Sequence, residues 1–281
     1  MDMTVVEADL CGRETSQGTL DELWSTLRRE GIEAAERDNL MSLPISHALL
    51  RHATLADALA HRLAHKLADA DIPATVLAGL IAEVFGADPA ALHAAATDLM
   101  AVRERDPACP DYVTPFLYFK GYQALQAFRV AHALWLRDRV HLARHLQGRI
   151  SEVFGVDIHP AARLGCGIMI DHGTGVVIGE TAVVENDVSI LQGVTLGGTG
   201  KACGDRHPKI RRGVLLGAGS SVLGNIEVGE GAKVGAGSIV LSDVAPYTTV
   251  VGVPARAIGS VHSGLPALTM DQTLLMPDYV I

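Results

Sequence analysis

Asp157 and His172 stand fifteen residues apart in a stretch otherwise built from small and aliphatic residues. A carboxylate that holds one imidazole nitrogen leaves the other as a base for a hydroxyl, so this pair has the composition of a general-base dyad. Asp171 is the neighbour of His172, and a second polar run, Gly204-Asp205-Arg206-His207-Pro208-Lys209, follows. Lys201, Arg206, Lys209, Arg211 and Arg212 make that region basic within a chain of net charge −9. Local positive charge of this kind suits a polyanionic cofactor or a carboxylate substrate. Cys203 opens a second chemistry, an acyl-cysteine relay, for which only His207 is near enough in sequence to activate the thiol. His61 and His65 have the i, i+4 spacing of metal ligands, but no HExxH glutamate and no third ligand accompany them. They read as a surface or interface pair.

The residues around these groups repeat with a period of six. Ile158, Leu164, Ile170, Val176, Ala182, Val188 and Val194 occupy successive slots, which resume at Ile210, Leu216, Val222, Val228, Val234 and Val240. Gly167, Gly173, Gly179, Gly197, Gly213, Gly219, Gly231 and Gly237, with Asn225 and Asp243, follow three residues behind, as tight corners require. Neither a helix nor a hairpin sheet has this period, whereas a parallel β-helix of three short strands per coil does. Coils stacked about 4.8 Å apart give a prism roughly 20–25 Å long. One coil takes about eighteen residues, three repeats of six, so the spacing of Asp157 and His172 lets adjacent coils bring them together. The longest interruption, Gly198 to Lys209, is a protruding loop and a candidate substrate clamp.

Composition divides the chain. Residues 1–150 are rich in Ala, Leu and His and suit helices, residues 151–258 carry the repeat, and residues 259–281 show no register and read as a flexible tail. A helix is expected to open near Asp21, a long one to run from Ser46 to about Leu67, and others to begin near Pro73 and Pro89, the latter ending near Arg105. A Pro-bearing turn at residues 106–111 precedes Thr114–Ala127 and a last helix to about Gly148. These helices are expected to cap the prism and drive self-association. The N-terminus lacks the features of a signal peptide, and no apolar run approaches the ~18 residues of a membrane span. Four irregularly spaced cysteines read as reduced thiols, so a cytoplasmic protein is expected. The acidic charge argues against a nucleic-acid partner.

Val156-Asp157-Ile158-His159-Pro160-Ala161-Ala162, Asp171-His172-Gly173-Thr174-Gly175, Gly197-Gly198-Thr199-Gly200-Lys201 and Gly204-Asp205-Arg206-His207-Pro208-Lys209 resemble bacterial serine O-acetyltransferases. The likeness extends to residues 103–108 and 114–121 and spans roughly residues 20 to 258. The resemblance implies a helical domain followed by a left-handed parallel β-helix. It also implies transfer of acetyl from acetyl-CoA to the hydroxyl of L-serine, the first step of cysteine synthesis. By motif, His172 would be the base and Asp157 its orienting partner, and Asp106, Asp171, Arg206 and His207 would bind serine. Gly198, Ala218, Lys233 and Ala236 would contact acetyl-CoA, a co-substrate. No tightly bound cofactor or metal is implied, because a thioester is already activated. The family further implies trimers of prisms paired into hexamers, cysteine as feedback inhibitor, and Ile281 as the residue that enters the sulfhydrylase acting next. Three alternatives remain. One is a hexapeptide acetyltransferase for a different hydroxyl acceptor. Another is a zinc enzyme of the γ-carbonic-anhydrase type, with His159, His172 and His207 as ligands. The third is a non-enzymatic scaffold whose C-terminus docks a partner.

Overall fold

The computed structural model describes residues 17–200, 203–261 and 264–274. The chain begins with helices α1 (Gln17–Arg37), α2 (Asn39–Ile45), α3 (Leu55–Leu67), α4 (Ala74–Ala87), α5 (Pro89–Arg105), α6 (Val113–Tyr118), α7 (Lys120–Leu136) and α8 (Val140–Phe154). Short polar side chains set several of the starts: Asp38 accepts from Leu40 N, Thr54 from Asp57 N and Asp88 from Ala91 N. The single helix expected from Ser46 to Leu67 is divided, since a π-helical turn covers Ser46–Leu50 and Thr54 caps a fresh start at Leu55. The segment Thr114–Ala127 is likewise broken at Phe119, whose extended backbone ends α6 and opens α7. The helical part runs four residues past the expected boundary at 150, to Phe154, where Gly155 in the left-handed region closes α8 and turns the chain into the first strand.

From Val156 the chain winds as a three-faced parallel β-helix. The first face holds β1 (Val156–Ile158), β4 (Val176–Ile178), β7 (Thr195–Gly197), β10 (Ser221–Leu223) and β13 (Ile239–Val240). The second holds β2 (Arg163–Leu164), β5 (Val183–Val184), β8 (Lys209–Ile210) and β11 (Glu227–Val228). The third holds β3 (Met169–Ile170), β6 (Ser189–Ile190), β9 (Leu215–Leu216), β12 (Lys233–Val234) and β14 (Thr248–Gly252), and ends with β15 (Ala255–Ser260) paired antiparallel to β14. Aliphatic side chains fill the interior, with Val156, Val176, Leu196, Ile210, Leu216 and Val222 fully enclosed.

The register corrects the six-residue count at one place. Ile158 stacks on Ile178 and not on Val176, and the same twenty-residue step links Leu164 to Val184 and Ile170 to Ile190. Eighteen-residue steps return between Ile178 and Leu196, Ile210 and Val228, and Val222 and Val240. Two residues are therefore inserted at the corner after Ile170, where Asp171 and His172 lie. Side chains alternate along a strand with period two, so a slip of two keeps an aliphatic residue inward. Val176 and Ile178 are both buried, which hides the insertion from the sequence pattern. Between Ile190 and Leu216 the step is twenty-six, eight more than a plain coil, and the excess is the loop between β7 and β8. Gly179 and Gly197 do not have the positive φ expected of corner glycines, whereas Gly167, Gly173, Gly213, Gly219, Gly231 and Gly237 do.

The first coil has no coil beneath it, and the helices satisfy its open polar groups. Asp98 of α5 accepts from Ile168 N at 2.9 Å, and Arg129 of α7 donates to Gly165 O at 2.8 Å. The two side chains pair with each other at 2.6 Å, buried, with Gln126 Nε2 also donating to Asp98. Arg105, at the end of α5, reaches the next coil, where it faces Asp187 at 3.5 Å and donates to Ser189 Oγ at 3.1 Å.

Residues 264–274 lie against the prism instead of hanging free, in contrast to the expected flexible tail. A short helix, α9 (Pro266–Thr269), is buried at Ala267, whose carbonyl accepts from Ser189 Oγ at 2.9 Å. The expectation of reduced thiols holds at Cys109 and Cys203 and fails at Cys166, which is disulfide-bonded. Among the described residues no single helix is long and apolar enough to cross a membrane.

Replacing Asp98 with Ala strands the Arg129 guanidinium in a buried site, so about 3–5 kcal/mol of stability is expected to be lost. Urea unfolding measures this directly, and an unchanged midpoint would deny the pair any stabilising role.

Candidate active site

The inserted corner carries the first group of polar residues. Asp171 follows β3, and His172 and Gly173 both have left-handed backbone, with φ of 55° and 75°. Gly173 packs on Gly121 at the start of α7, and a side chain on Gly121 would collide with the Ile170 carbonyl. Close approach of α7 thus requires glycine at 121 and holds the corner in place. His172 is turned outward, its side chain 72% exposed, with Nε2 3.8 Å from Asp171 Oδ2. Asp106, the residue that closes α5, accepts from Ala108 N at 2.8 Å and lies close enough to act on Asp171. Burial pushes the Asp171 carboxyl up, His172 pulls it down, and the Asp106 charge pushes it up again. Two neighbouring carboxylates, one of them beside the imidazole, make a patch suited to an ammonium group.

Asp157 is less simply placed. It lies on β1, and its Oδ1 accepts from Gln147 Nε2 of α8 at 2.7 Å. The carboxylate that faces His172 here is Asp171. The expectation that coil spacing pairs Asp157 with His172 assumed eighteen residues, while this coil has twenty and its corner swings the imidazole toward solvent.

Above His172 the same prism edge continues through stacked corners. Gly193 N donates to Thr174 O, Gly219 N to Gln192 O and Gly237 N to Ala218 O, at 2.8–2.9 Å. Ala218 and Ala236 therefore share the edge of His172, and their small side chains leave it open. Lys233 lies away from that edge, on the third face beneath the tail. Its Nζ donates to Asp271 O at 3.2 Å and Thr273 O at 2.6 Å, beside a cavity of about 320 Å³ lined by Thr249, Ser260, Pro266 and Asp271. Gly198 follows β7 and touches Arg206. Within one chain the four residues expected at acetyl-CoA do not form one surface.

The second group gathers on the edge between the first and second faces. Arg206 Nη2 pairs with Glu180 Oε2 at 2.6 Å, which holds the Glu180 carboxyl below the ordinary glutamate range. His207 is buried, with Nδ1 2.8 Å from Thr181 Oγ1 and 3.1 Å from Thr181 N. Burial lowers its pKa, helped by Arg206 and Lys209 and opposed by Glu180. A side chain on Gly179 would overlap the His207 ring, so Gly179 serves to make room and not to turn a corner. Sequence reasoning missed Glu180 and Thr181 as partners of the loop; the available signal was a polar pair at a prism corner. Lys201 and Ile281 lie outside the described residues.

His159 belongs to this second edge, while His172 belongs to the first. Among the described residues no three His, Cys, Asp or Glu side chains converge as metal ligands. The zinc alternative therefore has no ligand set among the described residues.

Residues 23–127 match the family model described as serine acetyltransferase, N-terminal, and residues 207–242 match that of the bacterial transferase hexapeptide, six repeats. Serine acetyltransferase of Escherichia coli (strain K12) is 53% identical over 253 residues, 90% of this chain and 93% of that one. The chain belongs to the serine acetyltransferase family. The crystal structure of serine acetyltransferase from Vibrio cholerae superposes with a TM-score of 0.89 at 55% identity, over 90% of this chain and 98% of that one. The soybean enzyme complexed with serine gives 0.82 at 52% identity, over 84% and 97%. Two further solved serine acetyltransferases, each 50% identical, are complexes with cysteine (TM-score 0.89, covering 90% of this chain and 99% of that one) and with CoA (0.82, 85% and 100%). The family and fold agree with the parallel β-helix expected from the repeat and with the left hand that the resemblance implies.

Gly179→Ala should displace the His207 ring. We expect acetyl transfer to fall by about tenfold or more with the fold retained, the equivalent of ~1.4 kcal/mol. Steady-state rates alongside a thermal melt check this, and full activity would show that the ring is free to move.

Proposed function

We propose that the chain transfers acetyl from acetyl-CoA to the hydroxyl of L-serine, giving O-acetylserine and CoA, the first step of cysteine synthesis. The observation that carries this reading is the patch of Asp106, Asp171 and His172, where Asp171 faces a solvent-facing imidazole and Asp106 lies near enough to act on Asp171, two carboxylates suited to the substrate ammonium. His172 acts as general base, taking the serine proton as the hydroxyl oxygen attacks the thioester carbonyl and CoA thiolate leaves. Such assistance contributes ~10²–10⁴ in rate. Asp157 orients His172 after the exposed ring turns back toward β1, with Gln147 holding the carboxylate in readiness. Arg206 exchanges Glu180 for the serine carboxylate, and His207 assists it.

The carboxylate group and the Arg206–His207 group occupy different edges of one prism, so each site is completed across a seam between two copies of the chain. The acetyl-CoA arm follows the edge of Ala218 and Ala236, with Gly198 and Lys233 reaching it from their own faces or from the neighbouring copy. Trimers of prisms paired through the helices, competition by cysteine at the serine site, docking of Ile281 in the next enzyme of the pathway and a cytoplasmic location complete the reading. Cysteine and CoA in complexes of solved relatives support the ligand assignments.

A coupled assay tests the activity: acetyl-CoA and L-serine are mixed, thiol release is followed, and cysteine is then added. His172→Ala is expected to lower turnover by ~10² or more with the assembly intact. If wild-type protein releases no thiol with serine but does so with another alcohol, the acceptor is misassigned. Mixing His172→Ala and Arg206→Ala subunits should restore part of the activity that neither variant has alone. Mixed assemblies as inactive as the parents would place both residues of a working site on one chain.

A further inference from the structure

Thr181 has no assigned role, yet the loop that carries Arg206 and His207 converges on it. Its Oγ1 accepts the consecutive backbone N–H groups of Arg206 at 3.0 Å and His207 at 3.1 Å. Its carbonyl accepts from Lys209 Nζ at 3.1 Å, and its own N–H points at His207 Nδ1 at 3.1 Å. One residue of the corner after β4 thus grips three residues of the loop inserted a coil later.

We propose that Thr181 is a positioning residue, which presents the Arg206 and His207 side chains to the substrate and fixes His207 as a hydrogen-bond donor through Nε2. The proposal rests on the reading of those two residues as serine ligands. A backbone N–H can only donate, so Nδ1 must offer its lone pair to Thr181. The neutral imidazole then carries its proton on Nε2. Protonation would set an Nδ1–H against the Thr181 N–H, and Arg206, Lys209 and His159 around the ring oppose it as well, against the pull of Glu180. His207 is therefore a neutral donor to a carboxylate or carbonyl oxygen and not a second base. Gly179, which leaves space for the ring, completes the seat.

Removal of the hydroxyl in Thr181→Val keeps the size of the side chain and takes the acceptor from two neighbouring N–H groups. The apparent KM for serine is expected to rise about tenfold or more, the equivalent of ~1.4 kcal/mol. The KM for acetyl-CoA should stay within about twofold, and Thr181→Ser should restore serine KM. In the wild-type protein, ¹⁵N spectra of His207, assigned by difference from His207→Gln, should show the proton on Nε2. A serine KM unchanged in Thr181→Val, an equal rise for acetyl-CoA, failure of Thr181→Ser to restore it, or a proton on Nδ1 would each overturn the proposal. Failure of the serine reading itself would appear separately, as wild-type protein without serine-dependent thiol release, and would leave the tautomer measurement standing.

Discussion

The structure depends on how the first coil of the prism is closed. A β-helix satisfies its backbone by stacking, so the lowest coil presents N–H and C=O groups with nothing beneath them. Here Asp98 and Arg129 answer them, accepting from Ile168 and donating to Gly165 while neutralising each other. An ion pair buried this deeply is poor evidence of net stability, because desolvation of both charges offsets their attraction. Its use is geometric. It fixes α5 and α7 on one corner of one coil, and that fixes where the end of α5 falls. Asp106 is the residue at that end, so a helical domain far from the repeat in sequence supplies part of the proposed site.

The chemistry is placed at departures from a regular repeat. A plain corner has no spare residues, and its side chains are committed to stacking. Two extra residues after Ile170 free Asp171 and His172 from the ladder, while eight extra residues after β7 do the same for Arg206 and His207. Both insertions are even in number, so neither reverses which side chains face inward. The core is blind to them, and the prism can carry functional loops without losing its packing.

This parity also explains what could be read from the sequence. The repeat, the helical N-terminal part, the starts at Pro89 and the end at Arg105 follow from local patterns and match the fold. The slip between Val176 and Ile178 could not be seen, since both are aliphatic and both are buried. The separation of Asp157 and His172 suits a coil of eighteen, and the slip makes this coil twenty. Asp106, Asp171 and His172 do come together, and that grouping was legible only through family motifs, because it joins a helix end to a strand end across sixty-five residues. Thr181 escaped notice because a threonine at a prism corner has no distinctive neighbour in sequence; its partners lie a coil away.

The charge distribution gives a reason for the divided site proposed above. An amino-acid substrate is a zwitterion whose two ends need opposite partners within a few ångström of each other. If Asp106 and Asp171 were set beside Arg206 in one empty chain, they would pair with it, and the guanidinium would be lost to substrate. The fold keeps them on separate edges, and Arg206 meets Glu180 instead, a half-exposed partner whose exchange for a substrate carboxylate replaces one ion pair with another. Exposed pairs of that kind are worth ~0–1 kcal/mol, so release of the arginine is inexpensive. In the proposed site, segregation of charge thus keeps both halves available until a molecule with one charge at each end bridges them.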